Sequence, residues 1–179
     1  MKIKEINSAA DIPKSMLGTP VETLIRCHNF GEDRKQYDNA EILIGMCMDN
    51  RKVLRVPDNF AYVIRTAGGS MKYSDFVISY AVAVGQIKAI AIIGHDDCGM
   101  CGLHNRKESY IEGLVNAGWD KDTAEQHFDS FSPIFEIGNE EDFVISEVKR
   151  IKNRYEKLYV APLFYRMSDG MLSYIDMEE

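Results

Sequence analysis

No run of apolar residues in the 179-residue sequence is long enough to cross a bilayer, so no membrane-spanning helix is expected within it. Basic charge is scarce as well. Lysine and arginine total 21 against 28 acidic residues, giving a formal net charge of −7 and a pI near 5.2. A general nucleic-acid binder needs a basic face, and a protein docked on an anionic membrane needs the same, so neither is expected. Only four cysteines occur, and a chain of this length buries enough surface to fold without disulfides. They read as thiols or metal ligands in a reducing compartment. The opening residues 1–7 lack the apolar stretch of a secretory signal, and the expected location is cytoplasmic. Gly68-Gly69 lacks the spacing of a dinucleotide-binding loop. No internal repeat or linker divides the chain.

What is present is ordinary for a single globular domain spanning residues 1–179: 45% hydrophobic and 27% charged residues. Residues 1–20 are mixed and end in Gly18-Thr19-Pro20, which reads as an N-terminal arm rather than core. Thr19 as N-cap and Pro20 in the first turn place a short helix over 21–29. Strands and helices then alternate. Apolar runs at 41–46, 60–65 and 88–93 read as buried strands, with a helix over 75–84 after the second, capped by Ser70 or Ser74. Helices are expected over 107–116, 121–128 and 140–158, a fourth strand over 159–165, and a return strand over 171–175 after the Asp169-Gly170 turn. Short apolar strands separated by helices predict an α/β fold. Its sheet is mostly parallel and flanked by helices, with an antiparallel strand added near the C-terminus.

Three metal-ligating residue types fall at strand ends. Cys47 ends the first strand, and His95 and Cys98 follow the third. Adjacent parallel strands lie about 4.8 Å apart, so these three can meet around one ion although distant in sequence. Two thiolates and an imidazole suit tetrahedral zinc, and three protein ligands leave a fourth position open, as in catalytic zinc sites. Between them lies Asp49-x-Arg51, in which a tight loop lets the arginine keep the aspartate ionised and oriented. Cys98 and Cys101 also have the Cys-x-x-Cys spacing of redox dithiols, but with Cys98 as a ligand, Cys101 reads as a bystander. Cys27 reads as a packed helix-face residue, and Asp96 and Asp97 as loop carboxylates or caps.

Cys47-x-Asp49-x-Arg51, Arg65-x-Ala67-Gly68 and Gly94-His95-x-x-Cys98-Gly99, in this order and separation, resemble the signature of the β-class carbonic anhydrases. The likeness runs over most of the chain. The continuation Asp97-Cys98-Gly99-Met100, followed by helices and a terminal strand, is most similar to the compact archaeal and bacterial members. The resemblance implies Zn²⁺ on Cys47, His95 and Cys98. It implies a zinc-bound hydroxide oriented by Asp49, with Arg51 holding Asp49, and reversible hydration of CO₂ to bicarbonate. In a closed state Asp49 itself becomes the fourth ligand. Ala67, Gly68 and Gly69 would approach the substrate through backbone groups. A homodimer or homotetramer is implied, with N-terminal segments wrapping the partner. Two thiolates make zinc water less acidic than in a three-histidine site, so activity should favour alkaline pH. His28 and His104 are candidates for moving the proton. Asn50 stands where serine is usual and Thr66 where asparagine is common, which leaves the substrate open. A hydrolase of CS₂ or COS, or a catalytically silent zinc-binding homologue, are the alternatives.

Overall fold

The centre of the sheet is built from runs that cannot face water. In the computed structural model, which describes residues 2–32 and 35–177, Ile42–Cys47 (β2) and Ala89–His95 (β4) are buried at every position. Tyr159–Tyr165 (β5) is buried at all but its first. Strands covered on both faces need no polar alternation, which is why they read as continuous apolar runs. Ala61–Thr66 (β3) lies at one edge, and Ile3–Lys4 (β1) and Leu172–Ile175 (β6) complete the other side. The order is β1-β6-β5-β4-β2-β3. The pairs among β5, β4, β2 and β3 are parallel, and β6 and β1 are antiparallel additions.

Alternation along the strands sorts the core into two layers. Ile42, Ile44, Met46, Ala89, Ala91 and Ile93 pack towards Pro20–Phe30 (α1). Leu43, Ile90 and Ile92 pack towards Asp75–Ala83 (α2) and Glu140–Arg154 (α5) on the other face. Helix α1 begins where Thr19 accepts the Val21 N–H and ends at Gly31 in the left-handed region. Gly94 sets how closely α5 approaches β4, because a Cβ there would lie 2.6 Å from Val144 Cγ2. Lys107–Asn116 (α3) and Lys121–Phe135 (α4) form a hairpin between β4 and α5. Among the described residues no helix is long and apolar enough to cross a membrane.

The structure corrects several expectations. Residues 1–20 do not stand apart as an arm: β1 pairs with β6 of its own chain, and Ile6, Ile12 and Met16 are buried under α1; Met1 lies outside the described residues. Ile6 and Ile12 flank a short 3₁₀ turn at 9–11 and Met16 ends a second at 14–16, so their spacing matches neither a helix nor a strand. Helix α4 runs on to Phe135 through Pro133. Helix α5 stops at Arg154, because residues 155–158 form the turn into β5, with Leu158 N–H on the Tyr155 carbonyl. Neither Ser70 nor Ser74 caps α2 through its side chain.

Candidate metal centre

Parallel register brings the three donors together. Met46 lies opposite Ile93, so Cys47 and His95 end neighbouring strands at nearly the same level. Asp97, with a φ of 56°, turns the chain sharply after β4 and returns Cys98 to the same end of the sheet. The donor atoms of Cys47, His95 and Cys98 all lie within 4.8 Å of one another, and all three residues are buried. The two sulfurs are 4.0 Å apart.

The chemistry of this donor set fits a thiophilic cation. His95 Nδ1–H donates to the Asp96 carbonyl at 2.8 Å, which fixes the tautomer and leaves the lone pair on Nε2. That Nε2 is buried without a hydrogen-bond partner. The Cys98 thiol donates to the Cys47 sulfur, so the pair pushes the Cys47 thiol down and the Cys98 thiol up. One of the two ionises readily, and the other keeps its proton until a cation offsets the second charge. Cys101 is outside the cluster. Burial and then the Glu140 carboxylate push its thiol up to about 12, and its backbone pairs with Ile137 instead.

Arg51 joins the two ligand loops. Its Nη2 donates to Asp49 Oδ2 at 2.7 Å, its Nε to both Asp49 oxygens at 3.1 Å, and its backbone N–H to Asp49 Oδ1 at 2.9 Å. The same guanidinium reaches Asp97 Oδ2 at 2.7 Å and the Asp97 carbonyl at 2.9 Å. These bonds hold the Asp49 carboxyl well below the usual carboxylate range. Asp97 is thus part of the clamp, and Asp96 caps the loop by accepting the Met167 N–H at 2.8 Å.

The turn after β3 packs directly on these loops. Gly69 has a φ of 83°, and a Cβ there would stand 3.3 Å from the Cys47 nitrogen. Gly68 and Gly69 are buried, whereas Ala67 lines a cavity of about 270 Å³ with Met48, Met100, Phe128, Phe131 and Phe135. The walls are apolar and begin one residue from Cys47. Thr66 stabilises the turn, its hydroxyl donating to the Ser70 carbonyl at 2.8 Å.

The chain matches the family model for carbonic anhydrase over residues 42–172. It belongs to the β-carbonic anhydrase family. Comparison with curated protein sequences gives no match. Among solved structures, β-carbonic anhydrase isoform I from Trichomonas vaginalis superposes with a TM-score of 0.61 at 21% identity, covering 82% of this chain and 90% of that one. Carbonic anhydrase from Streptococcus mutans gives 0.61 at 17%, covering 82% and 89%. The apo form of a carbon disulfide hydrolase gives 0.59 at 15%, covering 79% and 81%. β-Carbonic anhydrases are lyases that use zinc, and the Cys47-His95-Cys98 cluster is a possible site for such an ion.

Neither candidate proton carrier is part of the donor cluster. His28 is buried, its Nδ1 accepting the Arg55 N–H and its Nε2–H donating to the Gly170 carbonyl, so both nitrogens are committed. Burial lowers its pKa further. His104 is exposed and bound to Glu136. Sequence reasoning overlooked His127, which lines the apolar cavity, and Lys52, which is buried near the cluster. A basic residue one position after Arg51 was the available signal for Lys52.

Because the two thiols share a proton in the free site, zinc uptake at pH 7 should release about one proton per metal rather than two. Calorimetry in buffers of different ionisation enthalpy measures this number, and a value near two would remove the shared-proton pair.

Proposed function

We propose that the protein catalyses the reversible hydration of CO₂ to bicarbonate, with Zn²⁺ held by Cys47, His95 and Cys98. The observation that carries this reading is the number of donors. Three, and not four, converge within 4.8 Å among the described residues, which leaves room for a substrate-side ligand. When bound, zinc supplies a Lewis acid that makes a nucleophile from water near neutral pH.

The chain's own residues do the rest. Asp49 stays ionised because Arg51 takes up its oxygens, so it offers a fixed acceptor that aligns the attacking water. Arg51 also ties Asp49 to the Cys98 loop through Asp97, so the aspartate and the ligand loops form one rigid unit. The mostly apolar cavity lined by Met48 and Ala67 suits a small neutral molecule. The same walls suit CS₂ or COS. A silent homologue would have no use for the Asp49–Arg51–Asp97 clamp. Free cysteines fit a cytoplasmic setting.

The chain's exposed apolar face supports a second copy as partner. Edge strand β3 exposes Tyr62 and Val63, and α2 beside it exposes Phe76, Val77 and Tyr80, with Phe76 80% exposed. An apolar edge strand flanked by an apolar helix face is a surface that dimers cover.

Two outcomes are expected. Asp49→Asn should keep its zinc and lose about 10²-fold in stopped-flow CO₂ hydration. Unchanged turnover would take Asp49 out of the reaction, and zinc-loaded wild type active on CS₂ but not CO₂ would select the hydrolase. Sedimentation at micromolar concentration should give a dimer or tetramer for the wild type and a smaller species for Phe76→Asp; a monomeric wild type would refute the interface.

A further inference from the structure

Glu147, on α5, is the one buried carboxylate among the described residues, its side chain 3% exposed. Its Oε1 accepts the Met71 N–H at 2.8 Å in a buried bond. Arg150 holds the carboxylate in place, donating from Nε to Oε2 at 3.0 Å and from Nη2 to Oε1 at 2.9 Å. The same guanidinium reaches Asp75 Oδ1, at the start of α2, at 3.0 Å, and Arg154 Nη1 takes the other Asp75 oxygen at 2.6 Å. A buried ion pair is weak evidence for stability, because an apolar pair of similar volume often serves as well. What an apolar pair cannot do is accept the N–H of one particular residue.

That residue fastens the turn after β3. Gly68 and Gly69 take φ values of 64° and 83°, and the chain then enters a 3₁₀ turn at 72–74. The Met71 N–H between them belongs to no ladder or helix, so its acceptor comes from α5. The Met71 side chain is fully buried over Gly45 of β2, where a Cβ would stand 2.8 Å from its sulfur. Gly45 lies two residues before Cys47. Ahead of Met71, Gly69 packs on the Cys47 nitrogen, Ala67 lines the apolar cavity, and the Thr66 carbonyl accepts the Met48 N–H at 2.8 Å. A displaced Met71 therefore moves the cavity wall beside the metal centre.

We propose that Glu147 is a positioning residue: by accepting the Met71 N–H it holds the Ala67–Gly69 turn against Cys47 and so sets the wall of the substrate cavity. It touches neither metal nor substrate. The proposal rests on the reading of this end of the sheet as the active site, and not on which substrate is turned over.

Three variants of the full chain test it. Glu147→Leu removes the acceptor and keeps the bulk. Glu147→Asp keeps a charge for Arg150 but is one methylene too short to serve Met71 as well. Glu147→Gln keeps the acceptor and loses the charge. Amide exchange by mass spectrometry, resolved to Met71, should quicken at least about ten-fold in Glu147→Leu and Glu147→Asp and stay within about two-fold of wild type in Glu147→Gln. KM for whichever of CO₂ or CS₂ the zinc-loaded wild type turns over should rise at least about five-fold in the first two variants. Their kcat should hold within about two-fold, because Asp49 and Arg51 are untouched, and Glu147→Gln should match wild type in both constants. Unchanged Met71 exchange in Glu147→Leu or Glu147→Asp overturns the proposal, as does faster exchange with an unchanged KM. Glu147→Gln as impaired as Glu147→Leu, with Glu147→Asp normal, assigns Glu147 to the ion pair with Arg150 and overturns it too. A wild type that takes up zinc but turns over neither substrate refutes the proposed function, and the exchange comparison, which needs no substrate, still decides whether Glu147 holds the turn.

Discussion

Everything at the metal centre depends on the parallel pairing of β2 with β4, with Met46 opposite Ile93. Cys47 and His95 are 48 positions apart, and only this register places both at one end of the sheet. A slip of one residue would carry every side chain of β2 to the other face and separate the donors. The register is secured by burial on both sides. Ile42, Ile44 and Met46 fit the α1 layer, while Leu43 fits the layer of α2 and α5. The scaffold that positions the site is therefore the hydrophobic core itself, and the loops add Cys98 and the Asp49–Arg51–Asp97 clamp.

Charge is the second constraint. Two thiols 4.0 Å apart, with Asp49 and Asp97 close by, concentrate negative charge at a buried point in a protein of net charge −7. Such a point is stable only with a cation in it or beside it. Arg51 meets part of the requirement by bridging Asp49 and Asp97. The unpartnered Nε2 of His95 is the remaining sign that the site is built to hold a metal.

Much of this was legible in the sequence, for reasons that differ by element. The central strands were readable because continuous apolar runs bounded by polar loops have few other uses, and their ends fell within two residues of those expected. The meeting of Cys47, His95 and Cys98 followed from their positions at those ends. The N-terminal segment was misread because Ile6, Ile12 and Met16 are spaced by irregular turns, which carry no periodic signal. That both nitrogens of His28 are committed was not legible, because its partners, Gly170 and Arg55, come from distant parts of the chain. Lys52 was missed because lysine is expected at the surface, and its burial follows from tertiary packing alone.

X-ray absorption on the zinc-loaded protein tests the central claim most directly, since it reads the ligand set without reference to any activity. The account predicts two sulfurs at about 2.3 Å and one imidazole nitrogen at about 2.0–2.1 Å, with a light atom completing the shell. A shell of three or four sulfurs would bring in Cys101, and a shell without sulfur would mean that the metal does not sit between β2 and β4.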